Sequence, residues 1–556
     1  MGSGMKIQFT YDQATGSLPA GMVEALNVAA SYFDHLFADP ITLHIEVGYG
    51  EITQYGLSTA VTSGAEGGSV DDVLWTYAQT LQTYSSHITS PDQQGAYAEL
   101  AATAPTGGQI DVSSAEQKAF GQLAANNSAV DGSVGFQLNG AGGIAYDFNP
   151  FHRAVTNEWD FIGVALHEIS HALGRISLLG TGDDSLLDRF RYSAAGRLQT
   201  NVTGSPAYFS LDGGATNLAN FDATNADSAD WATGGPNDAN LVVSYIGVAN
   251  NFGQVDLREL NALGFQRVAQ TDDFEGKGTS DIIWRNATTG ALWEWRFANG
   301  AVASGAYLGI ESAYDIVGAG DFNGDGTTDL LWANSTGDLW TWQMSNGRLS
   351  QAHHLGNVLG WNATIGHFSG GGGSDILWQN ASTGAIYVWK MRNGVVAATS
   401  YLGVQSAWTV IGAGDFNADG TTDVLLRNGA GQVWDWMMSN DTYVGAHNLG
   451  NVAGWSLIGS GDFTGDGATD LLWRNNASHE VVEWLMANGL VHSTVDLGAV
   501  SGANVVATGD YFATGTSDIV WQNTTTGATT LWAMQNGHHM SAYDVNLGNS
   551  SGFKGV

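Results

Sequence analysis

The second half of the chain repeats itself six times, and this limits the folds open to it more than any other feature. Each copy joins a short apolar strand, a polar turn and a second strand with alternating polarity, as in "DIIWRNATTGALWEWRFANG". Repeats of this length made of short strands and turns are typical of propeller blades. We therefore predict an all-β propeller of about six blades over residues 266–556. The copies begin about 47 residues apart, at Asp281, Asp329, Asp375, Asp423, Asp470 and Asp518.

How the predicted ring closes is open at this point. The connecting strand "WTVIGAGDF" near Trp408 has a relative in "FQRVAQTDDF" from Phe265 and a truncated one in "FKGV" near the C-terminal end. A strand from one terminus would complete a ring of six blades. A chain that stops inside a seventh blade is the alternative.

The first part of the chain, residues 5–265, does not repeat and mixes two patterns. Apolar spacing predicts helices in "MVEALNVAASYFDHLF", "VDDVLWTYAQTLQTY" and "EWDFIGVALHEISHAL", whereas "ITLHIEVGYG" alternates like a strand. We predict an α+β domain over these residues, with a boundary near Gly264.

The third predicted helix carries two histidines four residues apart. On a helix, His167 and His171 lie on one face and can bind one ion, while Glu168, about 100° further round, reaches a water on that ion. This HExxH arrangement is that of zinc hydrolases, in which Zn²⁺ lowers the pKa of its water toward about 7 and the glutamate takes the proton. We predict a catalytic zinc ion here, and the alternative is a helix with two histidines by chance.

The stretch "HEISHALG" matches the first eight positions of the metzincin signature H-E-x-x-H-x-x-G-x-x-H. The domain thus resembles metzincin zinc proteases, and Gly174 would let the chain turn sharply beneath the ion. The third histidine of the signature falls at position 177, where this chain has Ser177. No histidine occurs between residues 172 and 265, so a third side-chain ligand from that stretch must be a carboxylate.

The resemblance also implies which carboxylate this is. Leishmanolysin-like families place the third ligand shortly before the Met-turn, often beside a tryptophan, and Asp230 precedes such a tryptophan. The stretch "VVSY" is similar to the "xMSY" turn of serralysins, with Val243 in place of methionine. The resemblance therefore implies Asp230 as third ligand and Tyr245 as the phenol that stabilises the oxyanion. Asp188, or another aspartate of this stretch, is the alternative third ligand. Glu259, in the stretch like the closing serralysin helix, is expected to be structural.

Three loops between the repeats have the spacing of a loop that wraps a hard cation. Oxygen-bearing side chains stand at the first, third, fifth and ninth positions, glycine at the sixth, and the seventh residue offers its carbonyl. The spacing resembles the calcium loops of FG-GAP and VCBS-like repeats. The implied Ca²⁺ ligands are Asp321, Asn323, Asp325, Thr327 and Asp329; Asp415, Asn417, Asp419, Thr421 and Asp423; and Asp462, Thr464, Asp466, Ala468 and Asp470.

The other three loops have lost parts of this pattern. In "DFEGKGTSD", Lys277 stands where a carboxylate is expected, and its ammonium would replace the ion. The loops "HFSGGGGSD" and "DYFATGTSD" lack most ligands. Calcium in the three complete loops would be structural, because it would neutralise clustered carboxylates, and the alternative is an Asx-rich turn that binds nothing.

Composition limits the partners. A net charge of -36 opposes binding to nucleic acid and anionic membranes, and no run is long enough to insert into a bilayer. The absence of cysteine, the acidity and the low lysine content favour export from a bacterium.

Together these features predict a secreted, monomeric zinc endopeptidase that acts on protein or peptide substrates. Its calcium-stabilised propeller would bind the substrate, a cell surface or a glycan. The alternative is a non-catalytic adhesion or carbohydrate- or protein-binding propeller protein with a degenerate protease domain. Loss of the third histidine and of the Met-turn methionine favours the alternative, whereas retention of the remaining chemical residues favours the enzyme.

Overall fold

The computed structural model describes residues 4–12, 17–54, 57–62, 64–102, 104–105, 107–140, 145–200, 206–223, 227–232, 238–241, 246–268, 272–369 and 373–555. The chain divides into two compact units. One contains Met5–Phe33 and Asp39–Arg267, and the other contains Met1–Gly4, Asp34–Ala38 and Val268–Val556. The division near residue 267 lies three residues after Gly264, where the sequence analysis places the boundary.

The first region of the chain, up to about residue 267, mixes helices and strands, as predicted. Its helices are α1 (Met22–Leu36), α2 (Tyr77–Ser85), α3 (Pro91–Ala102), α4 (Ser114–Ala119), α5 (Phe161–Ala172) and α6 (Gln254–Ala262). Its strands are β1 (Lys6–Tyr11), β2 (Thr42–Tyr49), β3 (Glu51–Gln54), β4 (Leu57–Ala60), β5 (Ala65–Ser69), β6 (Val73–Thr76), β7 (Gln109–Val112), β8 (Gly132–Phe136), β9 (Ala145–Asp147), β10 (Glu158–Asp160), β11 (Asp184–Ser185), β12 (Arg191–Ala194), β13 (Arg197–Leu198), β14 (Tyr208–Phe209) and β15 (Ala219–Asn220).

The main sheet of this region supports α5, the helix that carries the two histidines. The strand order is β1-β2-β8-β5, with β5 antiparallel to β8 and the other pairs parallel. Helix α5 lies close to β5 and β8 because glycines stand at the contact. A Cβ on Gly67 would come within 2.3 Å of the Glu168 carbonyl oxygen, and one on Gly132 within 2.4 Å of Ala172 Cβ. Larger residues at these glycines would push the helix away from the sheet.

Two of the predicted helices begin later than their apolar spacing suggested. Residues Val73–Thr76 form β6 because they pair with β7, and Thr76 then caps α2 by accepting a hydrogen bond from the Gln79 N–H. Residues Glu158–Asp160 likewise form β10 and pair with β9 before α5 begins. Helices α3 and α4 were not predicted.

The second region consists of six four-stranded antiparallel sheets, which confirms the predicted all-β propeller. Blade 1 contains β16 (Ile282–Asn286), β17 (Ala291–Ala298), β18 (Ala301–Ile310) and β41 (Phe553–Gly555). Blade 2 contains β19 (Tyr314–Gly320), β20 (Asp329–Asn334), β21 (Asp338–Ser345) and β22 (Arg348–Asn357). Blade 3 contains β23 (Trp361–Gly366), β24 (Asp375–Asn380), β25 (Ala385–Arg392) and β26 (Val395–Val404).

Blades 4 to 6 follow the same plan. Blade 4 contains β27 (Trp408–Gly414), β28 (Asp423–Asn428), β29 (Gln432–Ser439) and β30 (Thr442–Asn451). Blade 5 contains β31 (Trp455–Gly461), β32 (Asp470–Asn475), β33 (Glu480–Ala487) and β34 (Leu490–Ala499). Blade 6 contains β35 (Ala503–Gly509), β36 (Asp518–Asn523), β37 (Ala528–Trp532) and β40 (Val545–Asn549), with a small hairpin of β38 (Met534–Gln535) and β39 (His538–His539).

The ring closes through the C-terminal strand. Strand β41 pairs with β16, with Gly555 opposite Trp284, and so completes blade 1. Blade 6 then adjoins blade 1, because Ser280 N–H donates to the Asp510 carbonyl at 3.0 Å. The described residues therefore form six blades, and part of the other closing candidate, residues 269–271, lies outside them.

Hydrophobic clusters join neighbouring blades. One of them combines Phe274 and Ile283 of blade 1 with Leu330 and Trp332 of blade 2, all at most 1% exposed. Burying each such side chain stabilises the fold by about 1.5–3 kcal/mol. Trp332 therefore packs between blades 1 and 2. In the described part of the chain, no helix is both long and apolar enough to cross a bilayer.

Candidate metal centre

The two histidines of α5 direct one nitrogen each to the same point. His167 Nε2 and His171 Nε2 are 3.1 Å apart. The opposite ring nitrogens bind backbone carbonyls: Nδ1 of His167 lies 2.8 Å from the Ala239 oxygen, and Nδ1 of His171 lies 2.6 Å from the Arg175 oxygen. A carbonyl accepts a hydrogen bond, so each Nδ1 carries the proton. This arrangement, which is that of metal-binding histidines, leaves both Nε2 lone pairs without a backbone partner.

Asp230 supplies a third atom at this point. Its Oδ1 lies 3.4 Å from His167 Nε2 and 3.2 Å from His171 Nε2. Ligand atoms bound tetrahedrally at about 2.0–2.1 Å from zinc are roughly 3.3–3.4 Å apart. The three atoms form a triangle close to that size, and two imidazoles with one carboxylate are a common zinc donor set. The residues present therefore fit a zinc ion.

The position of Asp230 depends on its neighbour in the sequence. Trp231 Nε1 donates to Asp256 Oδ1 on α6 at 2.6 Å, and the Trp231 ring packs against Phe221 with ring centroids 4.8 Å apart. The Asp230 carbonyl accepts from Asp222 N–H at 2.7 Å. These contacts fix the backbone at Asp230 and Trp231, and the Asp230 carboxylate lies against the histidines of α5.

Two further carboxylates border the triangle. Glu168 is only 7% exposed, and one of its oxygens lies within 4.8 Å of a ligand nitrogen of each histidine. Burial, reinforced by Asp230 and Asp227, raises the pKa of Glu168 to about 8 against the opposing effect of His171 and Arg175. Asp227 Oδ2 lies 3.6 Å from His171 Nε2, and its side chain is 48% exposed. Glu168 can thus hold or accept a proton near neutral pH, and Asp227 marks a solvent-facing side.

Arg175 is a member of this site that the sequence interpretation missed. Its side chain is fully buried, Nη1 donates to Asp230 Oδ1 at 2.9 Å, and Nη2 lies 2.7 Å from His171 Nε2. The available signal was a single arginine directly after Gly174, three residues beyond the end of α5. The metzincin signature assigns that position no role.

The charges of the site influence one another strongly. Burial, with help from Arg175 and His171, lowers the pKa of His167 to about 4. Burial and Arg175 also lower that of His171, but Asp227 and Asp230 outweigh them, so its pKa is raised. For Asp230, burial acts upward, yet the histidines and Arg175 hold its pKa well below the ordinary value. Asp230 is therefore the anionic centre of the cluster.

Other residues predicted for the site lie elsewhere or are not described. Asp188 accepts hydrogen bonds from Ser177 Oγ at 2.6 Å and Leu178 N–H at 2.8 Å. It does not belong to the cluster of candidate ligand atoms around the two histidines. It fixes a loop, so the structure brings Asp230 and not Asp188 to the histidines. Gly174 has φ of +120°, as its predicted turn requires. Tyr245 and Val243 lie outside the described residues.

The acidic propeller loops form hydrogen bonds to their own backbone. Asp321 Oδ2 accepts from Gly326 N–H at 2.8 Å, and Asp325 Oδ1 accepts from Thr327 N–H at 2.9 Å. The same bonds recur in the loops at 415–423 and 462–470. Within the described chain, no group of three acidic or histidine ligand atoms outside the first region lies within 4.8 Å of one another. Calcium binding by these loops stays a prediction.

The aspartate at the ninth position has one contact common to all six loops. One carboxylate oxygen accepts a backbone N–H from a later strand of the same blade, at 2.7–3.0 Å. The aspartates are Asp281, Asp329, Asp375, Asp423, Asp470 and Asp518, and their donors are Phe297, Met344, Met391, Met438, Met486 and Met534. This bond explains the aspartate even in loops that lack the other ligands. In the loop "DFEGKGTSD", Lys277 Nζ forms an ion pair with the Glu275 carboxylate at 2.8 Å.

Three buried carboxylates on the blade strands were also missed from the sequence. Glu294, Asp435 and Glu483 are 0% exposed. Glu294 pairs with Arg296 at 2.7 Å and Asp435 lies 3.7 Å from His447 Nδ1, whereas no described group hydrogen-bonds either carboxylate oxygen of Glu483. Burial raises the pKa of Glu483 to about 8.

Comparison with known proteins supports the propeller. The FG-GAP repeat family matches residues 313–354, which include the loop 321–329. No curated protein matches the chain. The match covers one blade, and the assignment of the whole ring rests on its six sheets.

Several solved structures are similar at low sequence identity. The Photorhabdus luminescens Tc holotoxin pore is 16% identical over 47% of this chain and 14% of its own, with a TM-score of 0.33. A quinoprotein alcohol dehydrogenase-like protein from Bacteroides thetaiotaomicron is 11% identical over 48% of this chain and 66% of its own, with a TM-score of 0.28. The Dos1 propeller is 10% identical over 50% of this chain and 69% of its own, with a TM-score of 0.29.

Proposed function

We propose that the first region is a zinc-dependent endopeptidase and that the propeller is a binding module for its substrate or for a cell surface or glycan. The observation that carries the proposal is the convergence of His167 Nε2, His171 Nε2 and Asp230 Oδ1 within 3.1–3.4 Å, with Glu168 beside them. Action outside a bacterial cell, as a monomer, is part of the same proposal.

The roles of the residues follow from this geometry. His167, His171 and Asp230 would hold the ion, and their backbone partners fix the two rings. A zinc ion bound there would polarise a peptide carbonyl and acidify a water molecule. Glu168 would take the proton from that water and return it to the leaving amine, which suits a carboxyl that lies beside both histidines. Tyr245 is our candidate for the oxyanion donor.

Replacement of Glu168 by glutamine tests the proposal. We expect the wild-type protein to bind one zinc ion and to cleave an unfolded protein substrate. Glu168→Gln should retain zinc and lower kcat by about 10²–10⁴-fold, because the proton acceptor is lost while the ligands remain. The measurements are metal content by atomic emission and cleavage of a fluorescein-labelled protein.

Glu99→Gln is the matched control. Glu99 is a buried glutamate of the same region that accepts a hydrogen bond from Tyr192 and belongs to no ligand group. Its replacement should leave cleavage within about twofold. Cleavage that survives Glu168→Gln, or a wild-type protein that takes up no zinc, contradicts the proposed enzyme.

A second function, binding without catalysis, is favoured by one specific contact. Arg175 donates to Asp230 and His171, which gives the Asp230 carboxylate a positive partner even without a metal. In that case the propeller alone acts, as an adhesion module for protein or carbohydrate. Absence of zinc and of cleavage, together with retention of the whole protein on a glycan or protein array, would support this function.

A further inference from the structure

We propose that Arg175 is an internal competitor of the metal: its guanidinium binds two of the ligand atoms in the metal-free protein and moves away from them when the ion enters. This inference rests on the proposed zinc site and describes how occupancy of that site is controlled. The proposed hydrolytic chemistry does not use Arg175, and this inference gives that buried arginine a role.

The first argument is that both cations need the same lone pair. The Nδ1 of His171 already donates to the Arg175 carbonyl, so only Nε2 is free to accept. Nη2 of Arg175 lies 2.7 Å from that Nε2. One imidazole lone pair cannot bind a guanidinium N–H and a zinc ion at the same time.

The second argument concerns the carboxylate. Nη1 of Arg175 donates to Asp230 Oδ1 at 2.9 Å, and this is the same oxygen that completes the ligand triangle. A guanidinium stays charged at every pH at which the protein is folded. It therefore compensates the buried carboxylate without a metal, and an incoming Zn²⁺ must overcome both its hydrogen bonds and its charge.

The third argument is that the arginine has anchors outside the triangle. Nε donates to Ser170 Oγ at 2.8 Å, and Nη1 also donates to the Ala229 carbonyl at 3.0 Å. Neither acceptor is a predicted ligand. A rotation of the guanidinium can therefore release His171 and Asp230 while the side chain keeps a partner inside the protein, so displacement does not require expulsion into solvent.

Zinc affinity of the whole protein tests this role. The probe is zinc sulfate titrated against a chromophoric chelator at pH 7.5, with wild type, Arg175→Met and Arg175→Lys. Loss of one charge-assisted hydrogen bond to a competitor corresponds to about tenfold in affinity or more. We expect the dissociation constant to fall by at least about tenfold in Arg175→Met and by less in Arg175→Lys, which keeps the charge but loses the two-pronged contact.

Arg153→Met is the matched control, because Arg153 is equally buried and pairs with Asp160 at 2.7 Å, away from the ligands. It should change zinc affinity by less than about twofold. The zinc-induced rise in Tm should also be larger in Arg175→Met than in wild type, since Asp230 then has no other counter-charge.

The possible outcomes separate the two proposals. Equal or weaker zinc affinity in both Arg175 variants overturns the competitor role and leaves the metal centre standing. Absence of zinc binding in every protein overturns the metal centre itself. Zinc binding only in the Arg175 variants supports the competitor role and shows that the arginine keeps the metal out. If Arg175→Met fails to fold, Arg175→Lys decides between these results.

Discussion

The cluster on α5 and the acidic loops of the propeller use carboxylates in different ways. In the cluster, Asp230 and the two histidines come from distant parts of the chain, and hydrogen bonds on their outer sides direct the ligand atoms toward one another. In a loop such as 321–329, all candidate ligands lie within nine residues, and their carboxylates bind the loop's own N–H groups. The comparison shows that the ligand atoms of the cluster are positioned by backbone groups outside the ligand set, whereas the loop carboxylates are held by the N–H groups of their own loop.

The largest expected effect comes from removal of the anionic centre of the cluster. Asp230→Ala should weaken zinc binding by at least about 100-fold and lower the free energy of unfolding of the metal-free protein by about 3–5 kcal/mol, because Arg175 remains buried without its carboxylate. Chelator competition and urea denaturation measure the two effects. The same replacement at Asp183, which belongs to no ligand group, should change neither. Unchanged zinc affinity in Asp230→Ala would mean that Asp230 is not a zinc ligand, and the contrast between the cluster and the propeller loops would no longer hold.

The pH dependence of propeller stability should reveal the buried carboxyl of Glu483, which lies on a blade strand and not in a ligand cluster. The pKa of Glu483 is about 8 in the folded protein and about 4.3 when the chain is unfolded, so the folded state binds more protons between these values. Its contribution to stability is therefore present below about pH 4 and is lost as pH rises toward 8, by about 1.4 kcal/mol per pH unit.

Glu483→Gln should remove this slope and stabilise the metal-free propeller at pH 8 by up to about 4 kcal/mol relative to its effect at pH 5. Urea denaturation at pH 5, 6, 7 and 8 with a chelator measures it. Asp470, whose pKa is raised to about 9 mainly by burial, adds a slope of the same sign, so the test is the difference between variant and wild type. Replacement of the exposed Asp496 by asparagine should not alter the slope. A variant with the wild-type slope would mean that Glu483 is ionised in the folded protein.

Loss of a ninth-position aspartate should destabilise complete and incomplete loops alike. Asp329 accepts two buried backbone N–H groups and Asp375 accepts two partly buried ones, and Asp375 belongs to a loop without most cation ligands. Replacement by alanine leaves both N–H groups without a partner and should cost about 2–4 kcal/mol in each case, with or without calcium. The measurement is urea denaturation in calcium and in chelator. A loss confined to Asp329→Ala in calcium would assign this aspartate to the ion instead.

The smallest expected effect separates the complete loops from the incomplete ones. At a calcium concentration ten times the dissociation constant, one loop should gain about 1.4 kcal/mol, and Asp325→Ala should remove that gain. Differential scanning calorimetry with and without calcium measures it. Glu275→Ala, in the loop where Lys277 already pairs with that glutamate, should leave the calcium effect unchanged. Absence of any calcium effect in wild type would reduce these loops to hydrogen-bonded turns.

The propeller was predictable because its information is local and repeated. Each blade carries its own strand and turn pattern, whereas the closing strand was undecided because both ends of the repeat region contain a candidate. In the first region, Val73–Thr76 follow a helical pattern but pair with β7, a contact that sequence periodicity cannot reveal. Helix α3, rich in alanine and glutamine, has little apolar periodicity to detect.

The candidate site was predictable to the extent that a motif described it. The pair on α5 follows from helical spacing, and Asp230 followed from family resemblance, since no spacing rule connects residue 230 to residue 171. Arg175 was missed because its role depends on a carboxylate brought close only by folding. Glu483 was missed because it lies on a strand, where alternation alone predicts an apolar residue or an exposed charge.

Completion of blade 1 by β41 has a consequence for biosynthesis. The strand that finishes this blade leaves the ribosome about 270 residues after β16, which it pairs with. During translation, blade 1 therefore exposes an unpaired edge of the kind that recruits other strands. The edge of β16 stays unpaired until residues 553–555 are synthesised. A ribosome stalled before this point would therefore carry an unclosed propeller whose exposed strand edge can pair with other chains.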